Sequence, residues 1–418
     1  MMTGDTSHIN YRRAIEALRA GVPNRDAVRL LGSSQPRLEE RFSRLMETFQ
    51  GGIPAGHQDF GMIFAGDFGT GKSHLLERFQ HMALEQGFVC SKVVVSKHTP
   101  FYKLDKVYRA AIESAIIPGR VGACMSELAI TLDTHSETYA EFFKWLNAAE
   151  CGLCNHFAAT VHLYETTNRY DEVIELVTSF WSGHPFGVRE LRSELKNARL
   201  GAIYKVERVP HRVLAEQRFI FTPRLMKAAG YAGWVILIDE TELISSYGIR
   251  SRALAYAELP RFIGTTRTPA WPGITSVLAI TSDFVAKVLD DRDDEGKIPN
   301  KYSSETTMVQ RSETGMKLLR EATLIERPTG ESVKQTWDKL RDIYHGAYGW
   351  DPPTEYRAPD LTNSMRQILK RWITEWDLSR LFGHKADIDV KVLSPKMEEN
   401  PEMEIPTEGE TDDNADNR

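Results

Sequence analysis

The feature that most constrains this sequence is an eight-residue segment from Gly66 to Ser73, GDFGTGKS. It fits the phosphate-binding pattern G-x-x-x-x-G-K-[ST] at every fixed position. An apolar run from Met62 to Ala65 precedes it, and apolar residues recur at helical spacing after His74. Strand, loop and helix in this order are the context that the pattern requires. The alternative is a glycine-rich turn that matches by chance, and the flanking patterns disfavour it.

The residue types in this segment suit a bound triphosphate. Gly66, Gly69 and Gly71 let successive backbone N–H groups turn inward toward phosphate oxygens. A helix that begins near Lys72 adds the partial positive charge of its N-terminus, Lys72 can reach the β- and γ-phosphates, and the Ser73 hydroxyl can ligate Mg²⁺. The predicted residues for binding ATP and Mg²⁺ are Gly66, Asp67, Phe68, Gly69, Thr70, Gly71, Lys72, Ser73 and His74.

A second apolar run, Trp234 to Ile238, ends in two carboxylates, Asp239 and Glu240. An unbroken run of this kind is typical of a central parallel strand that is covered on both faces. Because ligands in such sheets bind beyond the carboxyl ends of the strands, we expect both carboxylates beside the phosphate-binding segment. Asp239 would hold Mg²⁺, mainly through water, and Glu240 would orient or deprotonate the attacking water. An Asp-Glu pair is also a common way for a strand to meet a helix cap.

Further polar residues follow these strands. A third buried strand, Ile274 to Thr281, ends in a hydroxyl, and Thr281 is our candidate for sensing the γ-phosphate or positioning the water. The alternative is that the residues after it only cap the next helix. Glu242 and Tyr247 are expected either behind the carboxylate pair or on a helix surface.

The order of the predicted elements indicates an α/β fold with a parallel sheet. Helical patterning from about residue 100 to 217 is too long for a simple crossover between parallel strands, so it predicts an inserted helical unit. The strongly charged stretch from Asp290 to Ser304 is predicted to be a mobile loop or a subunit-facing segment. The predicted domains are a helical segment at 1–50, a core at 51–330 with the insert at 100–217, a helical lid at 331–382 and an acidic disordered tail at 383–418.

Composition sets limits on the class of protein. With 41% hydrophobic and 26% charged residues, the chain of 418 residues has the composition of a soluble globular protein. No apolar run approaches membrane-spanning length and none follows Met1 as in a signal peptide, so we expect a cytoplasmic protein with no membrane partner. The net charge of −6 argues against a protein that is basic all over, and it leaves room for a local basic patch that binds DNA.

Together, the phosphate-binding segment, the Asp239-Glu240 strand end, the polar strand end at Thr281 and the helices after Pro328 resemble an AAA+ ATPase of the initiator-like branch. The resemblance implies a P-loop NTPase core with a parallel sheet, a helical insertion and a C-terminal helical lid. More narrowly, residues 13–25, RAIEALRAGVPNR, and 66–76, GDFGTGKSHLL, look like BREX phage-defence ATP-binding proteins of the BrxD type. The likeness covers nearly the whole chain apart from the acidic tail.

This resemblance implies a bacterial ATPase that acts with other defence proteins, on double-stranded DNA, and forms a homo-oligomer on ATP binding. It suggests Arg366 as the lid arginine that reaches the γ-phosphate, although Arg366 could be one more cation on its helix. Arg311 and Arg320 are candidates for an arginine finger supplied across a subunit interface. The residues at 383–418 are too short and acidic for the winged helix that initiator-like ATPases often carry, which puts autonomous, sequence-specific DNA binding in doubt.

The sequence leaves three functional hypotheses open. The first is an ATPase that couples nucleotide state to assembly or DNA remodelling. The second is a switch or scaffold that binds ATP, turns it over slowly and serves mainly as a platform for partners; the presence of Glu240 favours hydrolysis. The third is a phosphotransferase, which is weakened because the chain has no recognisable acceptor site and because two carboxylates suit water activation.

Overall fold

A computed structural model describes residues 5–22, 24–50, 61–167, 172–265 and 271–383 of the chain. The predicted acidic tail lies outside the described residues, apart from Gly383. The strands are β1 (Met62–Ala65), β2 (Val89–Val94), β3 (Trp234–Asp239), β4 (Ile274–Ile280) and β5 (Thr323–Leu324). Among the described residues, these strands form one parallel sheet in the order β2, β3, β4, β1, β5. The predicted α/β class with a parallel sheet is thus confirmed.

Helices make up most of the remaining structure. Before β3 they are α1 (Asp5–Ala20), α2 (Arg25–Leu31), α3 (Pro36–Gln50), α4 (Lys72–Glu85), α5 (Leu104–Glu113), α6 (Cys124–Thr131), α7 (Glu137–Leu146), α8 (Asn155–Thr166), α9 (Glu172–Trp181), α10 (Val188–Asn197) and α11 (His211–Ala228). After β3 they are α12 (Ile249–Ile263), α13 (Asp294–Lys301), α14 (Thr306–Arg320), α15 (Gly330–Tyr348) and α16 (Met365–Phe382). None of the helices in the described part of the chain combines the length and the apolar character needed to cross a membrane.

Both faces of the central strands β1, β3 and β4 are buried, which explains their mainly apolar sequences. In β1, Ile63 and Ala65 face one apolar cluster, and Met62 and Phe64 face the other. Successive side chains of a strand point to opposite faces, so a strand covered on both sides is mainly apolar along its whole length. All six residues of β3 are buried for the same reason.

The connections of the sheet place β1 where the strand order changes direction. The chain leaves β1 for β2 at one edge, returns through β3 and β4, and then passes beyond β1 to β5. The Gly66 N–H donates to the Ile280 carbonyl at 3.1 Å, and the Ile325 N–H donates to the Ala65 carbonyl at 2.8 Å. These bonds hold the carboxyl ends of β4, β1 and β5 side by side, and ligand sites of open α/β sheets lie at such a point.

Between β2 and β3, helices α5 to α11 share one apolar cluster with one face of the sheet. Their aromatic side chains belong to the same apolar cluster as the sheet residues Trp234 and Ile236. The Tyr108 hydroxyl of α5 donates to the Trp181 carbonyl at the end of α9, at 2.6 Å. The insert is therefore continuous with the core.

The charged stretch from Asp290 to Ser304 is largely helical, so the mobile-loop alternative for it is wrong, and the subunit-facing alternative stays a prediction. A π-helix ends at Asp290 and is followed by α13. Asp294 is fully buried, where its two carboxylate oxygens accept from Arg252 Nε at 2.8 Å and Arg252 Nη2 at 2.7 Å. The Tyr256 hydroxyl donates to the same carboxylate at 2.9 Å. Charge counting cannot distinguish a solvated carboxylate from one that is paired inside the protein.

The N-terminal helices divide between two parts of the molecule. Helix α3 packs on α4 of the core, with the Phe42 and Phe79 rings stacked 4.4 Å apart. Helices α1 and α2 instead pack with α15 and α16, and we call these four helices the terminal helical unit. Arg19 of α1 and Asp377 of α16 form an ion pair across it at 2.8 Å.

Candidate nucleotide-binding site

The predicted phosphate-binding segment forms a tight loop between β1 and α4, which we call the glycine-rich loop (residues 66–73). Gly69 and Gly71 have φ angles of 82° and 104°, in the left-handed region that favours glycine. A Cβ on Gly66 would lie 2.7 Å from Thr70 Oγ1, which donates to the Asp67 carbonyl at 2.8 Å. The loop is therefore a close-fitting backbone cradle ahead of a helix N-terminus, where phosphate groups bind.

Lys72, the first residue of α4, points back along this loop. It is 8% exposed, and its Nζ donates to the Gly66 carbonyl at 3.1 Å and the Asp67 carbonyl at 3.4 Å. The same Nζ lies 3.7 Å from Glu242 Oε1. The structure thus brings the lysine of the glycine-rich loop together with the segment that follows β3.

Asp239 and Glu240 lie at the carboxyl end of β3. Asp239 is 5% exposed, and its Oδ1 accepts the Glu240 backbone N–H at 3.0 Å. Glu240 has a φ of 57°, a left-handed conformation that costs a non-glycine residue roughly 1–2 kcal/mol and is concentrated at functional sites. Burial and then the neighbouring Asp239 charge raise the pKa of Glu240, while Lys72 and Arg366 oppose this rise.

Glu242 lies in the site, against Lys72, although the sequence predicts it only behind the carboxylate pair or on a helix surface. It is 6% exposed on a 3-10 helix, Thr241–Ser246, so the helix-surface alternative is wrong. Burial raises the pKa of Glu242 to about 7, against the lowering effect of Lys72. Its nearness to Glu240 in the sequence is the only signal that could have identified it. Tyr247 is a core residue whose hydroxyl accepts the Phe101 N–H at 3.1 Å.

The end of β4 lies next to the glycine-rich loop. Thr281 is 8% exposed and directly follows Ile280, whose carbonyl accepts the Gly66 N–H. The Ser282 hydroxyl donates to the Asp67 carboxylate, so this residue contacts the loop as well as preceding the next helix. A role of Thr281 in sensing a γ-phosphate stays a prediction.

Helix α16 begins over the same loop. Its N-cap is Ser364, whose hydroxyl accepts the Gln367 N–H while Gln367 Oε1 accepts the Ser364 N–H at 2.7 Å. A Cβ on Gly69 would lie 3.0 Å from Ser364 Oγ, and the Arg366 guanidinium lies 5.1 Å from the centre of the Phe68 ring. Arg366 is therefore beside the loop, as expected for a lid arginine, and its contact with a phosphate remains a prediction.

A cavity of about 470 Å³ opens beside the glycine-rich loop, between the core and the terminal helical unit. Ser73 and His74 line it from the loop side, and Val22, Gly32 and Met365 line it from the terminal helical unit. His74 Nε2 lies 2.6 Å from the Gly32 carbonyl, and burial lowers the pKa of His74, so the neutral ring donates this hydrogen bond. The volume is within the range of roughly 300–1,000 Å³ found for small-molecule sites.

The residues at this site fit a magnesium nucleotide. In the described part of the chain, no group of three or more His, Cys, Asp or Glu side chains could hold a metal ion by itself. Magnesium bound with a nucleotide needs only one or two protein oxygens, because phosphates and water supply the rest. Asp239 and the Ser73 hydroxyl are oxygen donors of the required kind, and Glu242 Oε2 is a buried carboxylate oxygen with no hydrogen-bond partner.

The two arginine-finger candidates are both paired within the chain. Arg311 Nη2 lies 3.2 Å from the buried Glu258 carboxylate. Arg320 contacts Asp290 at 2.5 Å and Glu295 at 2.7 Å. Because both arginines are paired, these contacts do not identify which of the two would be an arginine finger.

The fold and the site define an α/β protein with a glycine-rich loop, a helix N-terminus and buried carboxylates at the carboxyl edge of a parallel sheet. Residues 7–124 match the family model of the BREX system ATP-binding protein BrxC/D. The match confirms the resemblance to BREX ATP-binding proteins and covers the glycine-rich loop, but not the residues from β3 onward. Neither the curated proteins nor the solved structures contain a match to this chain. This family is named for ATP binding in the BREX system, and the match extends over little more than a quarter of the chain.

Proposed function

We propose that this chain is an AAA+-like ATPase that binds ATP with Mg²⁺ and hydrolyses the bond between the β- and γ-phosphates. The observation that carries the proposal is the meeting of Lys72 with the acidic segment after β3, 3.7 Å from Glu242 and beside Asp239 and Glu240. A lysine and two carboxylates at one end of a parallel sheet are the groups that phosphoryl transfer to water requires.

Each residue has a distinct part in this proposal. The N–H groups of the glycine-rich loop and Lys72 bind the β- and γ-phosphates, and Ser73 and Asp239 hold Mg²⁺, which neutralises developing charge. Glu240 takes the proton of a water whose oxygen attacks the γ-phosphorus as the bond to the β-phosphate oxygen breaks. Its raised pKa suits a general base that works near neutral pH. Thr281 and Arg366 position the water and the γ-phosphate.

The wider role that we propose is in a BREX-like defence system of a bacterium, with other proteins of the system as partners. ATP binding would drive homo-oligomer formation, and the nucleotide state would be coupled to assembly or remodelling on duplex DNA. A cytoplasmic location belongs to the same proposal. The contact of α16 with the glycine-rich loop supports such coupling, because the terminal helical unit lines the cavity next to the loop.

ATP turnover by the purified protein tests this function. Wild type is compared with Glu240→Gln and Lys72→Ala, with and without duplex DNA, while light scattering follows the mass of the particles. We expect wild type to hydrolyse ATP, Glu240→Gln to bind ATP with turnover lowered roughly 10²-fold or more, and Lys72→Ala to bind ATP much more weakly. Glu321→Gln, at an exposed carboxylate after α14, is the control and should behave as wild type.

The alternative is a slow-turnover switch or scaffold, and the three oxygen contacts of Lys72 within the chain are the observation that favours it. If wild type binds ATP but hydrolyses it no faster than Glu240→Gln under any of these conditions, the hydrolysis proposal fails. The switch or scaffold function then replaces it. If ATP does not bind to wild type, both functions are excluded.

A further inference from the structure

Glu242 has no part in the water-activating mechanism proposed above, although it is among the most buried charged groups near the glycine-rich loop. Its Oε1 lies 3.7 Å from Lys72 Nζ, and both side chains are more than nine-tenths buried. Its other oxygen, Oε2, is buried without a hydrogen-bond partner. An ion pair so far removed from water is screened very little by salt.

The Lys72 ammonium has two hydrogen-bond acceptors and one counter-charge in the structure. The Gly66 and Asp67 carbonyls accept hydrogen bonds from Nζ, and the Glu242 carboxylate lies at ion-pair distance from the same atom. An ammonium has three N–H groups, so a phosphate oxygen that binds Lys72 through the remaining one competes with this carboxylate for the same positive charge. Of the three oxygen contacts, only Glu242 carries a charge, and it therefore opposes the approach of a phosphate most.

We propose that Glu242 is a positioning residue for Lys72: its carboxylate holds the ammonium against the loop carbonyls, and phosphate oxygens compete with it for that ammonium when nucleotide binds. The inference rests on the proposed ATP-binding function of the same loop. Releasing Lys72 leaves a buried carboxylate without its counter-charge, which is costly in a low-dielectric site. Because the pKa of Glu242 is raised to about 7, a proton can replace the ammonium near neutral pH. Other charges that face Glu242 come from Asp239 and Glu240.

The first test measures Lys72 directly and needs no nucleotide. Trace labelling of lysine amines with acetic anhydride, followed by mass spectrometry, compares wild type with Glu242→Gln at about pH 8, where the carboxylate is ionised. We expect Lys72 to react roughly three- to tenfold faster in Glu242→Gln, since the amine has lost its buried counter-charge. Glu242→Asp, which keeps the charge on a shorter side chain, should fall between the two proteins.

A comparable pair between α4 and β2 provides the control. Glu77 Oε2 lies 3.9 Å from Lys92 Nζ, at a similar distance, and the pair is less deeply buried. Glu77→Gln should raise the labelling of Lys92 and leave Lys72 unchanged, and Glu242→Gln should do the reverse. If Lys72 reacts equally fast in wild type and Glu242→Gln while Lys92 responds to Glu77→Gln, the proposal is overturned.

The second test measures ATP affinity in a double-mutant cycle. Glu242→Gln should lower the Kd for ATP several-fold, and the same change in a Lys72→Ala background should alter the Kd less than about twofold, because the effect passes through Lys72. An equal shift in both backgrounds overturns the proposal. So does a Glu242→Gln variant that binds ATP like wild type and loses turnover like Glu240→Gln. If wild type binds no ATP, the proposed function fails, and the labelling experiment still decides the role of Glu242.

Discussion

Glu240 and Glu242 follow the same strand, and the conformation of one determines the position of the other. The left-handed backbone at Glu240, with φ of 57°, turns the chain out of β3 and into the 3-10 helix that carries Glu242. Few non-glycine residues adopt this conformation unless the surrounding structure holds them in it. This helix carries Glu242 to its buried position beside Lys72, where the ionisation of Glu242 affects the stability of the protein.

The pKa of Glu242 predicts a pH dependence of folding stability. Since the folded pKa of about 7 is above the ordinary value of 4.5, the protein is most stable below pH 4.5 as far as this group is concerned, and it loses stability as pH rises through 7. Glu242→Gln removes the titration, so its free energy of unfolding relative to wild type should increase between about pH 5 and 8, by at most about 3 kcal/mol. Urea unfolding of both proteins across this range measures the difference. A difference that stays constant with pH would contradict the prediction.

The buried pair of Arg252 and Asp294 predicts a large loss of stability on substitution. Asp294→Asn removes the carboxylate that faces a guanidinium with only 4% of its side chain exposed, which should cost about 3–5 kcal/mol. The control is Asp290→Asn, at an ion pair with Arg320 that is more than one-third exposed and should contribute less than about 1 kcal/mol. Chemical denaturation gives both values. Equal, small losses in the two variants would show that the buried pair adds nothing beyond a surface pair.

At the scale of elements, the sequence predicts those strands and loops whose structure depends on the local residue pattern. The strands β1, β3 and β4 could be predicted from their sequences because burial on both faces favours runs rich in apolar and β-branched residues. The glycine-rich loop could be read because its geometry admits few residue types at fixed positions. Helix α13 could not, because the burial of Asp294 depends on Arg252, which is distant in sequence. The position of Glu242 inside the site could not be predicted for the same reason, since its burial depends on contact with Lys72.

The start of α16 predicts a link between a helix cap and nucleotide binding. Ser364→Ala removes the N-cap hydroxyl, which should lower stability by about 1 kcal/mol and loosen the turn that places Arg366 beside the glycine-rich loop. The Kd for ATP should therefore rise. Ser136→Ala removes the corresponding cap of α7 in the insert and should cost similar stability without changing the Kd. Isothermal titration calorimetry with ATP measures the Kd of both variants. An equal Kd for both would contradict the link between the helix cap and nucleotide binding.

At the scale of the whole molecule, the first and last described helices meet. Arg19 and Asp377, separated by 358 positions, form hydrogen bonds and an ion pair in the terminal helical unit. No periodicity in either helix identifies its partner, because an amphipathic helix shows only that one face is buried. The division of the chain into domains at 1–50, 51–330 and 331–382 stays a prediction, and the packing of α1 and α2 on α15 and α16 bears on it. A substitution in the terminal helical unit should therefore affect α1 and α16 together.

Gly346 is the position where this cooperation can be tested. It lies in α15, and a Cβ there would come within 2.6 Å of the Tyr11 ring of α1, too close for a real contact. Gly346→Ala should therefore separate α1 from α15 and destabilise the protein by about 1–3 kcal/mol. Gly330→Ala, at the start of the same helix, meets nothing within 4 Å and should be neutral or slightly stabilising.

Hydrogen exchange distinguishes a local effect of Gly346→Ala from one on the whole terminal helical unit. If α1, α2, α15 and α16 form one cooperative unit, their amides should all exchange faster in Gly346→Ala, while those of β3 and α12 keep the rates of wild type. Faster exchange confined to the turn around residue 346 would mean that the four helices open independently. The same unit lines the cavity beside the glycine-rich loop and carries Arg366. Cooperative opening of the unit would therefore couple nucleotide binding to α1 and α16 together.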